Sequence, residues 1–226
     1  MNRQAAGIIA SLALATAALP VQAAEFGVYA GGFYSETSKD ADRNWFVDEV
    51  ADTYRAFGIT PLGSETSFET DDSGYGFVVG YRMLEHLAIE GGYMDLGEVT
   101  YRDAGPGIYQ EEQFNFRQRI KSGTSGLAVS ALGIWPLSYR WEVYGRAGVL
   151  ISSNEAKYLI ADDASAATGS QSGSGFHPLA GAGITMGFAE IYALRLEAIR
   201  VFDAGKDDTG GEGDIDLLNI GVTVSF

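Results

Sequence analysis

The chain has 226 residues, a formal net charge of −15 and no cysteine. Acidity on that scale argues against a nucleic-acid partner, because phosphate is repelled, and the missing thiols exclude a disulfide scaffold. Beyond the N-terminus no apolar run reaches the ~20 residues of a spanning helix, although hydrophobic residues make up 46% of the chain and glycine supplies 30 positions.

Met1 to Arg3 carries one positive charge, Ala5 through Leu19 is apolar, and Pro20-Val21-Gln22-Ala23 puts small or slim residues where signal peptidase inspects the chain. This order reads as a secretory signal over 1–23, cleaved after Ala23 or one residue later, with 24–226 left as one domain. A first strand is expected near Phe26–Tyr34, with faces blurred by Gly and Ala. Tyr75, Phe77, Val79 and Tyr81 then alternate with glycine and valine, and Leu87, Ile89, Gly91 and Tyr93 alternate with Ala88, Glu90, Gly92 and Met94. Such alternation puts the two sets on opposite sides of a strand. The stretch Gln113–Trp135 is ambiguous. Phe114, Phe116 and Ile120 mark one parity and Leu127, Val129 and Ala131 the other, which a bulge near Gly123 or Gly126 would reconcile. Trp141 to Ile151, Leu179 to Gly187 and Tyr192 to Phe202 read as three more strands. The last has Leu218, Ile220, Val222, Val224 and Phe226 on one parity.

The connections alternate in length. Met83–His86, Pro136–Arg140 and Phe188–Ile191 are short turns, whereas residues 35–72, 95–112, 154–175 and 203–213 read as long polar loops. Eight strands so connected predict an all-β, eight-stranded antiparallel up-and-down transmembrane β-barrel, with its short turns periplasmic and its long loops outside the cell. Within the first loop Phe46, Val50, Tyr54 and Phe57 recur at near-helical spacing between Asp42 and Gly58, predicting a short helix that caps the barrel mouth.

Charge decides which parity meets lipid, since Arg or Lys on that face costs about 2–4 kcal/mol near the midplane. Glu90, Glu142, Arg146, Arg195 and Glu197 all oppose the apolar parity, so they point inside as an interior ionic network. A soluble lipocalin-like barrel would invert that pattern. Arg200 breaks the rule, and is expected to reach the headgroups. Tyr75 with Tyr81, Tyr192 with Phe202, and Phe226 fit aromatic girdles at the two interfaces.

Four segments carry a family resemblance. Ile89-Glu90-Gly91-Gly92-Tyr93-Met94-Asp95-Leu96-Gly97 resembles the third strand of the OmpA-like outer-membrane barrels, Tyr144-Gly145-Arg146-Ala147-Gly148 the fifth, Leu194-Arg195-Leu196-Glu197 the seventh, and Asp216 through Phe226 the eighth. The resemblance implies that Glu90 and Arg195 join a buried salt-bridge network. The family's other partners, a Lys on the fourth strand and a Glu on the sixth, fall on residues such as Ala131 and Thr185, so Glu142, Arg146 and Glu197 are expected to substitute. It also implies that Phe226, with Val224 and Val222, forms the signal read by the outer-membrane assembly machinery. The chain ends at the barrel, so no peptidoglycan-binding domain and no wall-anchoring role are expected.

Catalytic chemistry is sparse. The two histidines are His86, in a turn, and His177, read as a surface residue at the outer end of the sixth strand; Ser172 and Ser174 precede it in a serine-rich loop. No enzymatic activity, cofactor or metal is expected, and the acidic run Asp207 to Asp214 does not have the spacing of a calcium loop. The expected role is structural and surface-exposed, with loops free for binding or adhesion, in a monomer whose partners are outer-membrane lipid and lipopolysaccharide. The alternative is a narrow pore or a small-solute channel, for which Gly74, Gly76, Gly80, Gly148 and Gly221 would leave room inside. A lipid A-modifying enzyme is the third reading.

Overall fold

A computed structural model of the protein describes residues 27–40, 43–162, 166–204 and 213–226, so the expected signal over 1–23 lies outside the described residues. Eight antiparallel strands close into a barrel: β1 (Gly27–Lys39), β4 (Asp71–Leu84), β5 (Leu87–Tyr109), β6 (Glu112–Pro136), β7 (Trp141–Ala161), β8 (Ala166–Gly187), β9 (Tyr192–Ala204) and β10 (Gly213–Ser225). Each strand pairs with its successor in this series, and β10 closes on β1. The short elements β2 (Thr60–Pro61) and β3 (Glu65–Glu69) pair with the far end of β5, and α1 (Arg43–Phe57) sits in the same connection.

The outward parity is apolar over a band. Phe77, Val79, Leu127, Val129, Leu196, Leu218 and Ile220 are exposed there, while Glu90, Arg146, Arg195 and Glu197 are buried inside. This is the inside-out arrangement that the charges required. Arg200, on the outer face, is held by Asp216 across the strand pair, with Nε 2.6 Å from Oδ1, rather than reaching away alone.

Two of the expected long loops are largely strand among the described residues. Residues 95–109, 154–161 and 166–175 continue β5, β7 and β8 well past the apolar band, because their backbones pair with the neighbouring strand whatever their polar and small side chains. The β5–β6 hairpin turns on Gln110 and Glu111, both at positive φ (50° and 68°), the two-residue turn whose twist matches the flanking strands. The fourth expected loop is partly strand as well, since Asp203 and Ala204 end β9 and Gly213 begins β10, and 205–212 lie outside the described residues.

The expected bulge in β6 is absent from the described residues. β6 keeps one register against β7 from Arg117 to Pro136, and the irregularity falls in β5, between Asp95 and Glu98. There Gly97 takes φ +73°, and an added Cβ would stand 2.9 Å from the Asp72 side chain. What changes along β6 is the surroundings of each face. Leu127 and Val129 point out toward the apolar band, whereas Phe116 and Ile120 point in, toward α1. The hydrophobic parity switches without any break in the strand.

The helix explains the inward half of that switch. Phe46, Val50 and Tyr54 bury one face of α1 against Val99, Tyr101, Phe116 and Ile120. The Phe46 and Tyr101 rings stack at 5.9 Å, and Tyr54 meets Phe116 edge-on at 4.9 Å. Phe57, expected in this stripe, is instead half exposed at the helix end. The Tyr54 hydroxyl donates to Asp103; burial first, then that carboxylate, hold its pKa above the ordinary tyrosine value.

Candidate functional site

Midway along the barrel four charges meet. Glu90 projects inward from β5, Arg146 from β7, and Arg195 and Glu197 from β9, since all four occupy the inward parity at matching heights. Arg195 Nη1 lies 2.6 Å from Glu90 Oε1, and Arg146 Nε lies 2.6 Å from Glu197 Oε1. Arg146 also contacts Glu90, and Arg195 Nη2 lies 3.4 Å from Glu197 Oε2. Each guanidinium therefore bridges both carboxylates. The two positive and two negative charges sum to zero, the condition for holding ions away from water.

Neutral groups complete the ring. Tyr29 Oη donates to Glu90 Oε1 at 2.6 Å, and Arg146 Nη1 donates to Ser130 Oγ at 3.2 Å. The Arg195 guanidinium lies 4.4 Å from the centroid of the Tyr144 ring and donates to its hydroxyl. Tyr29, Ser130 and Tyr144 were missed from sequence, although Tyr144 shares a parity with Glu142 and Arg146 on its own strand.

Glu142, the fifth expected member, does not join. It pairs with Arg82, whose Nη1 lies 2.9 Å from Oε1 and 3.1 Å from Oε2, near the short-turn end. The reason is strand geometry: Glu142 and Arg146 lie four residues apart on one face, about 13 Å at ~3.3 Å per residue. Arg82 was legible as the inward neighbour of Tyr81.

Apolar layers lie on both sides of the charges. Ala88, Leu132, Ile134 and Tyr144 fill the short-turn side. Met94, Leu96, Leu150, Leu179, Ile199, Val201, Ile215 and Leu217 pack across the other side. The room expected at the interior glycines is already occupied. A Cβ on Gly76 would stand 2.3 Å from the Phe33 ring, and one on Gly80 would stand 2.2 Å from the Tyr29 ring. At Gly221 it would meet Phe33 Cβ at 2.8 Å, at Gly148 Ser130 Oγ at 2.4 Å, and at Gly74 the Asp95 carbonyl at 2.0 Å. Gly76, Gly80 and Gly221 let Phe33 and Tyr29 lie across the strands, and Gly74 and Gly148 sit close against the neighbouring strand. Beside the charges lie a cavity of about 30 Å³ next to Glu90 and Glu197 and one of about 90 Å³ around Arg82 and Glu142.

Among the remaining expected residues, Phe226 and Val222 are exposed and Val224 is half-buried along the outer edge of β10. His86 is exposed in its turn, with Nδ1 3.0 Å from the Ile134 carbonyl. His177 is not a surface residue. It lies opposite Leu150 on the inward parity, 5% exposed, with Nε2 2.9 Å from the buried Ser152 Oγ, inside the apolar layer. Ser172 and Ser174 are exposed on the outward parity of β8, opposite to that of His177. Among the described residues no group of acidic or histidine side chains is arranged to hold a metal.

Residues 26–226 match the family model described as the OmpA-like transmembrane domain. Outer membrane protein A of Yersinia pseudotuberculosis is 27% identical over 158 residues, which cover 69% of this chain and 40% of that relative. The chain thus spans well under half of that relative's length. Among solved structures, Neisserial surface protein A superposes with a TM-score of 0.50 at 15% identity, over 88% of this chain and 97% of that one. The attachment invasion locus protein Ail of Yersinia pestis gives a TM-score of 0.43 at 11% identity, over 88% and 99%.

Proposed function

Given that this chain belongs to the OmpA-like transmembrane domain family and resides in the Gram-negative outer membrane, we propose that it is a closed structural barrel that works through its extracellular surface. The observation that carries this reading is the filled interior: a neutralised four-charge cluster between two apolar layers, with the spaces over the interior glycines taken by Phe33 and Tyr29. A path for ions would have to break charge pairs that are buried and mutually satisfied, and a path for apolar solutes would have to open the layer around Leu150, Leu179 and Leu217. Both are costly in a close-packed interior. The role left to the protein is mechanical and superficial: it strengthens the envelope and presents the extension of β5 to β8, capped by α1, for binding or adhesion.

The burial of Ser152 and His177 supports a structural use of that pair, because a lipid substrate has no access to it from the outer face. The outward row of Val222, Val224 and Phe226 at the end of β10 supports recognition by the assembly machinery, and the barrel is expected to act as a monomer. Reconstitution in planar bilayers tests the proposal. The expected record is free of discrete conductance steps at neutral pH, and reproducible single-channel openings would overturn it.

A further inference from the structure

The outward face of the extracellular extension carries a group of cations that the acidic character of the chain does not lead one to expect. Along β6 the residues Arg117, Arg119 and Lys121 follow one another on the outward parity, the same parity that presents Leu127 and Val129 to lipid, and the unbroken register of β6 makes this one continuous face. Arg102 on β5 stands directly opposite Arg119, and Lys157 on β7 stands directly opposite Lys121. Like charges placed directly across a strand pair destabilise a sheet. Two such pairs stand side by side here, in a protein with a net charge of −15.

The local acids do not remove the excess. Glu69 holds Arg102 at 2.8 Å, Glu98 holds Lys121 at 2.5 Å, Glu155 holds Lys157 at 3.0 Å, and Glu65 lies at the far edge on β3. Among the described residues neither Arg117 nor Arg119 has a carboxylate within ion-pair distance, and both are exposed. Directly across from them on β7 stand Leu159, opposite Arg119, and Ala161, opposite Arg117, while Asn115 lies on β6 and the hydroxyls of Thr168, Ser170 and Ser172 follow on β8, one strand further. Guanidinium groups with hydroxyls on the same face suit a phosphorylated saccharide, since arginine can grip phosphate with two parallel hydrogen bonds.

Height selects the occupant. Lys121 lies six residues beyond Leu127, about 20 Å along the strand at ~3.3 Å per residue, or about 15 Å along the membrane normal at a tilt near 45°. Arg117 lies about 10 Å higher by the same measure. The face looks sideways, so what stands beside it is whatever rises above the acyl chains of the neighbouring lipids. In an outer leaflet that is the phosphate-bearing sugar region of the glycolipid.

We propose that Arg117 and Arg119, with Arg102, Lys121 and Lys157 around them, form a lateral binding site for the phosphorylated core saccharide of lipopolysaccharide. The site is independent of whether the barrel conducts, so a failed conductance prediction and a failed binding prediction are separate results. The test uses the full chain folded in detergent micelles, titrated with phosphorylated rough-type lipopolysaccharide, with the same molecule after chemical dephosphorylation, and with a soluble sulfated oligosaccharide. Heat-modifiable migration on gels verifies the fold of every variant.

R117Q/R119Q is expected to weaken binding of the phosphorylated glycolipid by about 25-fold, at about fivefold for each cation near an anionic headgroup, and to leave the dephosphorylated form unaffected. R43Q/R55Q, which removes the same charge from α1, is expected to stay within about twofold of the parent. In the parent itself, raising salt is expected to weaken binding of the phosphorylated form only, a readout that needs no variant. An unchanged affinity in R117Q/R119Q overturns the proposal. So does an equal loss in R43Q/R55Q, or a soluble sulfated oligosaccharide that binds as tightly as the glycolipid.

Discussion

Replacing Glu90 by Gln keeps the shape of the side chain and removes the negative charge on which both interior arginines converge. In the parent, Arg195 lies 2.6 Å from Glu90 Oε1, Tyr29 donates to the same oxygen at 2.6 Å, and Arg146 contacts the other oxygen. Glu90 is 3% exposed, so water cannot take over. After the change two guanidinium groups face Glu197 alone, leaving one buried positive charge uncompensated. Breaking a buried pair in this way costs about 3–5 kcal/mol. With a urea slope near 2 kcal/mol per molar, the unfolding midpoint falls by about 2 M. The assay is urea unfolding in lipid vesicles, followed by tryptophan fluorescence and by heat-modifiable migration. The double variant E90Q/R195M leaves Arg146 facing Glu197 and restores neutrality. It is therefore expected to be more stable than the sum of the single changes allows, by more than about 1 kcal/mol in a double-mutant cycle. An E90Q midpoint at the parent's value, or strict additivity in the cycle, refutes the interior network as the element that sets stability.

Gly80→Ala drives a methyl group into the Tyr29 ring and is expected to cost about 1–3 kcal/mol by overpacking; in a Tyr29→Ala background the same change costs less, because the atoms in its way are those of Tyr29. Val222→Asp, on the exposed outer face, is expected to lower the yield of heat-modifiable barrel more than Thr223→Asp, on the inward parity, and a reversed order would refute the assignment of faces. Lys39, above the apolar band, is buried and donates to the Gly97 carbonyl at 2.7 Å; burial lowers its pKa to about 8, with Asp72, Asp95 and Glu98 opposing the shift. The folded state thus releases this proton more readily than the unfolded state, which binds more protons above pH 8. Stability measured by urea unfolding is therefore expected to rise from pH 8 toward pH 10, and Lys39→Met should flatten that rise; a parent curve that already falls across this window contradicts the shift.

Much of the architecture was legible because a barrel in lipid exposes one parity to hydrocarbon and cannot tolerate charge on it. Glu90, Arg146, Arg195 and Glu197 were recoverable for that reason. Glu142 was grouped with them because parity reports which side a residue takes and says nothing about its height along the strand. The pairing of Arg82 with Glu142 needed the register. Residues 95–112 and 154–175 looked like loops because Gly, Ser, Asp and Thr have weak strand preference. Cross-strand pairing to neighbours already in place overrides that preference. The switch of parity in β6 looked like a bulge because sequence patterning assumes one apolar environment per strand, whereas β6 passes from lipid on its outer face to α1 on its inner face. His177 was misplaced because a histidine beside a proline and serine-rich segment reads as surface, and a shared parity with the apolar Leu179 points toward lipid; the register opposite buried Leu150 is what turns both residues inward.

The continuity of β6 supports the lipid-facing band, the inward charges and the lateral cationic face together, and the chain's lack of cysteine makes it directly measurable. Single cysteines placed in turn from 117 to 133, each carrying a nitroxide, can be read for contact with oxygen dissolved in lipid and with a water-soluble nickel complex. An unbroken two-residue rhythm is expected: oxygen contact peaks at 127, 129 and 131, nickel contact peaks at 117, 119 and 121, and 118, 120, 128 and 130 are shielded from both. A phase slip near 123 to 126, or oxygen contact at 130, would contradict it.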